Sequence, residues 1–134
     1  MSIYLDRAKE LRALETPHYN CAQGVLVPFA EKFGVNEEQA YKIASNFAKG
    51  MKMGSVCGAV TGALMVLGLA GVDDAQTVGA FLRAVRENHE GCLDCRDLLR
   101  KNTELGHNQK QHCDNMVFEC LTLVENILRE RQAL

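Results

Sequence analysis

The feature that most constrains this chain is an uncharged stretch, GSVCGAVTGALMVLGLAGV, at positions 54–72. Its length is close to the 18 to 20 apolar residues, roughly, that a helix needs to cross a bilayer. Gly54, Gly58 and Gly62 recur every four residues, so on one helix they form a face that a neighbouring backbone can approach closely. Neither end carries the basic cluster or the aromatic belt that is typical of a membrane span. We therefore expect a buried apolar helix and no membrane span.

The sequence on both sides of this stretch has the periodicity of amphipathic helices. It contains no strand-length run of alternating β-branched residues and no Asn-Gly or Asp-Gly hairpin signal. The pattern predicts helices over residues 3–14, 21–33, 36–49, 55–71, 74–88, 95–101 and 111–131. In the third of these, Ala40, Ile43, Ala44 and Phe47 are predicted to point inward. We interpret the chain as one all-α domain, residues 1–134, in which five or six helices form a bundle with the apolar, glycine-rich helix at its centre.

The charge distribution excludes some classes of partner. The net charge is −2, and lysine and arginine are spread along the chain. Such a distribution offers no basic patch for nucleic acid or for an acidic membrane surface. The first 15 residues, MSIYLDRAKELRALE, mix acids and bases without an apolar run, so they match neither a secretory signal nor a transit peptide. We expect a cytoplasmic protein whose thiols stay reduced.

The six cysteines are the unusual part of the composition. In a reducing compartment, such a number indicates metal binding or redox chemistry more than structural disulfides. Four of them, Cys21, Cys57, Cys95 and Cys113, fall at the N-terminal ends of predicted helices. Free backbone N–H groups at these ends favour a thiolate, which is the form that binds metals and attacks disulfides. These four are the candidate redox or metal-binding residues.

Spacing along the chain distinguishes the other two cysteines from these four. Cys120 lies seven residues after Cys113 on one predicted helix, about 10 Å along the axis, which is too far for a shared metal ion or a disulfide. It falls in the apolar stripe of that helix, and we interpret it as core packing. Cys92 forms a C-x-x-C pair with Cys95 and is a candidate additional ligand or redox partner.

The arrangement of the cysteines resembles that of a known family. Residues 57–62 read CGAVTG, a C-G-A-x-x-G motif that a lone cysteine precedes in NCAQGVL and that single cysteines follow in CRDLL and CDNMV. In this order, residues 18–125 resemble the C_GCAxxG_C_C family of small domains, whose label writes the triplet as G-C-A. The resemblance implies redox activity or a cysteine-bound cofactor at Cys21, Cys57, Cys95 and Cys113.

The small residues of the motif have a physical role of their own. Without a side chain, Gly58 allows a cofactor or another backbone to come close to the Cys57 sulfur. Ala59 and Gly62 keep the same face of the helix shallow.

Four functions remain open on the sequence. The first is an iron–sulfur cluster on the four cysteines, in an electron-transfer module that is associated with an oxidoreductase and needs a redox partner protein. The second is a structural zinc site, for which His18 and His112 are candidate fourth ligands. The third is thiol–disulfide chemistry without metal, and the fourth is a helical interaction domain whose cysteines are incidental. A homo-oligomer that pairs through the glycine face or the last helix fits each of them.

Overall fold

The computed structural model describes residues 2–134 and shows an all-α protein. These residues form seven α-helices: α1 Ile3–Ala13, α2 Cys21–Ala30, α3 Glu37–Ile43, α4 Gly58–Leu69, α5 Ala75–Asn88, α6 Cys95–Glu104 and α7 Gln109–Glu130. Shorter helical turns lie at Glu31–Phe33, Ser45–Phe47 and Gly50–Gly54. Each α-helix lies within or close to one of the seven predicted segments, and the bundle of five or six helices that we expected is not confirmed. The described residues contain no β-strand, and only one isolated bridge joins Val56 to Asp94.

The hydrophobic core lies among α2, α4 and α7. All residues of α2 except Cys21 and Pro28 are buried. On α7 the predicted apolar stripe is buried, from Met116 to Leu128. On α4, one face is buried, whereas Leu64 and Met65 are half-buried and Leu69 is exposed. The glycine-rich helix is therefore covered on one side, and the central position that we expected for it is not confirmed.

The uncharged stretch is shorter as a helix than the sequence indicates. Helix α4 begins at Gly58, with Cys57 as its N-cap, and not at Ser55. Gly54 lies outside the helix, in a loop, with a φ of +71°. The 12 residues of α4 span about 18 Å at 1.5 Å per residue, against a hydrocarbon core of about 30 Å. Within residues 2–134, no helix has both the length and the apolarity that crossing a membrane requires.

Two glycines of α4 allow direct contact with the backbone of α2. A Cβ atom on Gly62 would lie 2.7 Å from the Ala22 carbonyl oxygen, and a Cβ on Gly58 would lie 3.1 Å from the Ala22 nitrogen. Such separations are shorter than van der Waals contact. The spacing of four residues therefore aligns α4 on α2, and this contact places Cys57, which precedes Gly58, beside Cys21, which precedes Ala22.

The segment between α3 and α4 differs from its prediction. Helix α3 ends at Ile43, whose side chain is 59% exposed and not inward, as we had expected. The buried Asn20 side chain donates to the carbonyl oxygens of Ala44 and Ser45, so the backbone that follows α3 is tied to the start of α2. From Lys49 to Lys52 the backbone then takes four consecutive positive φ values, between +54° and +64°. Left-handed backbone costs roughly 1–2 kcal/mol per non-glycine residue, so the surrounding contacts must hold this turn in place.

The glycine contact predicts a difference between two substitutions in one helix. Gly62→Ala places a methyl group against the Ala22 carbonyl, and we expect the free energy of unfolding to fall by about 1–3 kcal/mol. Gly68→Ala is the matched control, because nothing lies within 4 Å of its Cβ position. It should leave stability unchanged or raise it by up to about 1 kcal/mol through helix propensity. Urea unfolding followed by circular dichroism measures both, and equal effects would contradict the packing of α4 on α2.

Candidate redox site

The structure brings the four candidate cysteines together at one cavity. Cys21, Cys95 and Cys113 line a surface cavity of about 490 Å³. Cys57 lies beneath them and is 6% exposed. The ionisation of Cys21 is affected by Cys113 and Cys57, and that of Cys57 by Cys95 and Cys113. Thiols from four distant parts of the chain are therefore electrostatic neighbours.

Cys21 is positioned by a capping box at the start of α2. The Asn20 side chain accepts from the Gln23 backbone N–H, and the Gln23 side chain accepts from the Asn20 N–H. The remaining amide hydrogens of both side chains bind carbonyls around the end of α3, among them that of Tyr41. Because Asn20 and Gln23 are buried and their polar groups are partnered, the first turn of α2 and its cysteine are held rigidly.

The isolated antiparallel bridge ties together the two segments that carry Cys57 and Cys95. The Cys57 N–H donates to the Leu93 carbonyl at 2.8 Å, and the Cys95 N–H donates to the Ser55 carbonyl at 2.7 Å. These two bonds flank the pair Val56 and Asp94. The bridge thus joins the residues before α4 to the residues before α6, and it places the N-terminal ends of both helices at the same side of the molecule.

Cys113 is positioned by ion pairs between α1 and α7. Arg12, near the end of α1, is 5% exposed, and its Nε donates to Asp114 at 2.8 Å. Its Nη1 donates to the Tyr19 carbonyl at 2.7 Å. Lys110 reaches both the Arg12 carbonyl and the Asp114 carboxylate. These contacts fasten the first turns of α7 to the chain just before α2, so Cys113 faces Cys21.

The two facing thiols have opposite protonation preferences. A hydrogen bond with Cys21 is the main cause that lowers the pKa of Cys113 to about 7, and the positive charges of Arg12 and Lys110 act in the same direction. The same hydrogen bond, together with burial, raises the pKa of Cys21 far above its ordinary value. At neutral pH, Cys113 therefore carries much of the thiolate character while Cys21 keeps its proton, as in a nucleophile with a proton-donating partner.

The other buried thiols are kept neutral by desolvation. Burial raises the pKa of Cys57 to about 11, although the backbone N–H groups of Ala59 and Val60 act against it. Burial also raises the pKa of Cys95, and it raises that of Cys120 well above the ordinary thiol value. Position at a helix N-terminus was thus not sufficient to predict a thiolate, because the loss of water outweighs the helix end at Cys57 and Cys95.

The remaining predicted residues lie in different places. Cys120 is fully buried in the core, as its spacing predicted, and it lies near enough to Cys57 to interact with it electrostatically. Cys92 is half-buried and lies near enough to Lys101 to interact with it electrostatically. His18 is exposed and lines the thiol cavity. His112 instead lines a second cavity, of about 410 Å³, with His89 and His107.

The thiols suit a thiophilic metal by their chemistry, since four cysteine ligands are the usual donor set of iron–sulfur and many zinc sites. A metal site also requires that these side chains lie in suitable positions. Among residues 2–134, no group of three or more His, Cys, Asp or Glu side chains is placed to hold a metal ion.

Sequence reasoning missed the basic residues of the site. Arg12, Lys49 and Lys110 line the cavity beside the thiols. Each sits in an ordinary charged stretch of the sequence, and no motif marks it. The one available signal was the small Gly24, since a Cβ there would lie 3.0 Å from the Arg12 side chain.

The fold and the site define a small all-α protein with a four-cysteine cluster at its surface. Residues 19–127 match the family model described as "Putative redox-active protein (C_GCAxxG_C_C)". The chain belongs to this family, as the cysteine pattern predicted. No curated protein and no solved structure shows a significant match to it.

The lowered pKa of Cys113 predicts its reactivity with an alkylating agent. Because the thiolate fraction grows as pH rises through the pKa, the rate of iodoacetamide labelling should rise with a midpoint at about pH 7. Peptide mapping of the labelled protein assigns this phase, which Cys113→Ser should abolish. Cys92→Ser is the control and should retain it. A midpoint near pH 8.5, roughly the value of a free cysteine, would contradict the electrostatics of the site.

Proposed function

We propose that this protein is a thiol–disulfide redox protein whose working couple is Cys21 and Cys113. The observation that carries the proposal is that Cys21 and Cys113 line one solvent-accessible cavity and affect each other's ionisation, with the pKa of Cys113 lowered and that of Cys21 raised. Dithiol redox proteins need this asymmetry, because one sulfur attacks the substrate disulfide and the other attacks the mixed disulfide in a second step.

The reaction follows from the arrangement. The Cys113 thiolate attacks one sulfur of a substrate disulfide, forms a mixed disulfide and releases the first substrate thiolate. Cys21 then loses its proton to a released thiolate and attacks the Cys113 sulfur. The second substrate thiolate leaves, and the Cys21–Cys113 disulfide remains. In total, the protein dithiol loses two electrons and the substrate disulfide gains them.

The surroundings support both steps. Arg12 and Lys110 stabilise the attacking thiolate by their charge. The proximity of Cys21 makes the second step intramolecular, which gives it a high effective concentration. In a cytoplasm that keeps thiols reduced, the dithiol would be the resting form. A further protein that re-reduces the disulfide would be the redox partner.

The couple is tested by mapping the disulfide. The reduced full-length protein, treated with bis(2-hydroxyethyl) disulfide, should lose two hydrogens in mass and yield a Cys21–Cys113 cross-link after proteolysis. Cys21→Ser should stop at a stable mixed disulfide on Cys113, whereas Cys113→Ser should form neither product. Cys92→Ser is the control and should behave as the unchanged protein. A cross-link between any other pair, or none, would overturn the proposal.

An iron–sulfur cluster for electron transfer is the second candidate. The observation that favours it is that Cys95 and Cys113 affect the ionisation of Cys57, which lies outside the couple, while the bridge joins the segments that carry Cys57 and Cys95. Cys21, Cys57, Cys95 and Cys113 would hold the cluster, which would supply one-electron transfer to a partner protein.

A substitution at Cys57 distinguishes the two candidate functions, because the Cys21–Cys113 couple does not use Cys57. Protein expressed with iron and purified without oxygen should contain iron and sulfide and absorb broadly in the visible if it holds a cluster. Cys57→Ser should then reduce the cluster content severalfold while the Cys21–Cys113 cross-link still forms in metal-free protein. Colourless, iron-free protein would exclude the cluster.

A further inference from the structure

The cavity beside Cys21 and Cys113 has the size and lining of a small-molecule site. Its volume of about 490 Å³ lies in the usual range for ligand pockets, roughly 300–1,000 Å³. A concave site of this kind accepts a small molecule more readily than the surface of a folded protein. Three thiols share it with polar side chains of the α7 N-terminus, Asn108 and Gln109.

The charges of the lining have one sign. Arg12, Lys49 and Lys110 contribute to the cavity, and no Asp or Glu is among the described residues that line it. The Asp114 carboxylate, which is not part of the lining, binds Arg12 and Lys110. In a chain whose net charge is −2, three cations against the Asp114 carboxylate and the Cys113 thiolate leave a positive balance at this cavity, which favours a negatively charged occupant.

Arg12 keeps one donor free for such an occupant. Its Nε binds Asp114 and its Nη1 binds the Tyr19 carbonyl, but Nη2 has no acceptor in the part of the chain that the structure describes. The side chain is 5% exposed, and no buried polar atom lacks a partner among residues 2–134, so Nη2 retains access to the cavity. A guanidinium held by two contacts presents its remaining donors in a fixed direction, which suits a carboxylate.

Lys49 supplies a second cation to the cavity, from the segment between α3 and α4. It opens the left-handed turn, with φ +54°, and has no ion pair among the described residues. The turn is closed by a bond from the Ser55 N–H to the Gly50 carbonyl at 3.0 Å. The strained turn thus holds an uncompensated charge at the rim.

We infer that the substrate of this cavity is a small-molecule disulfide, or the thiol derived from it, that carries carboxylate groups. This inference rests on the proposed thiol–disulfide function and names its substrate class. Arg12 and Lys49 bind the carboxylates, and the disulfide sulfur meets Cys113. The exchange then runs as described above: two substrate thiols are released, and the two electrons come from Cys21 and Cys113.

Three small disulfides of nearly equal size test the substrate class. 3,3′-Dithiodipropionate is a dianion, bis(2-hydroxyethyl) disulfide is neutral and cystamine is a dication. For each, the rate of Cys21–Cys113 cross-linking in the reduced full-length protein is divided by the rate at which the same disulfide oxidises dithiothreitol, a neutral dithiol, at the same pH. We expect the dianion to give the highest ratio and the dication the lowest, with differences that shrink as salt is added.

Two lysines in the same left-handed turn give a matched pair of variants. Lys49→Gln should lower the ratio for the dianion by about threefold relative to the ratio for the neutral disulfide. Lys52→Gln has a similar backbone conformation, with φ +60°, but Lys52 does not line the cavity, so both ratios should stay as in the unchanged protein.

The outcomes distinguish this inference from the function on which it rests. If the neutral disulfide gives no Cys21–Cys113 cross-link, the proposed function fails. If the neutral disulfide gives the cross-link but the dianion shows no advantage, or Lys49→Gln and Lys52→Gln act alike, only the substrate class is overturned. In that case a protein disulfide becomes the better candidate for the substrate.

Discussion

The close contact between the backbones of α2 and α4 is the constraint on which the site depends. Gly58 and Gly62 face Ala22 at distances that leave no room for a Cβ atom. Because Cys57 precedes one of these glycines and Cys21 precedes Ala22, the contact that packs the core also aligns two cysteines. The spacing in C-G-A-x-x-G is thus a packing requirement with a chemical consequence. A larger residue at either glycine would separate the helices and, with them, the thiols.

The cysteines differ in character because their surroundings differ in water and charge. Cys57 and Cys95 lose water without a compensating cation strong enough to offset it, so both remain protonated near neutral pH. Cys113 stands beside Arg12 and Lys110 and accepts the hydrogen bond of Cys21, so its thiolate is favoured. One buried arginine therefore connects three elements, α1, the segment before α2 and α7, and its charge also contributes to the lowered pKa of Cys113.

The entry to α4 stores conformational strain next to the thiols. Four successive residues from Lys49 take left-handed backbone angles, which non-glycine residues adopt only when neighbouring contacts compensate for the cost. Here the turn leads directly into the bridge between Val56 and Asp94. Strain and bridge together replace the simple helical continuation that the periodicity of the sequence predicted, and they place Lys49 at the cavity.

The sequence by itself determined the helical class, the apolar stripe of α7, the role of Cys120 in the core and the four cysteines of the family pattern. These depend on periodicity and spacing, which are local properties. Only the tertiary structure decided that α4 begins at Gly58, that Ile43 is exposed, that His112 lies at another cavity and that Arg12, Lys49 and Lys110 surround the thiols. Those outcomes depend on contacts between residues far apart in the chain, such as Asn20 with Ala44 and Arg12 with Asp114, and no local pattern encodes them.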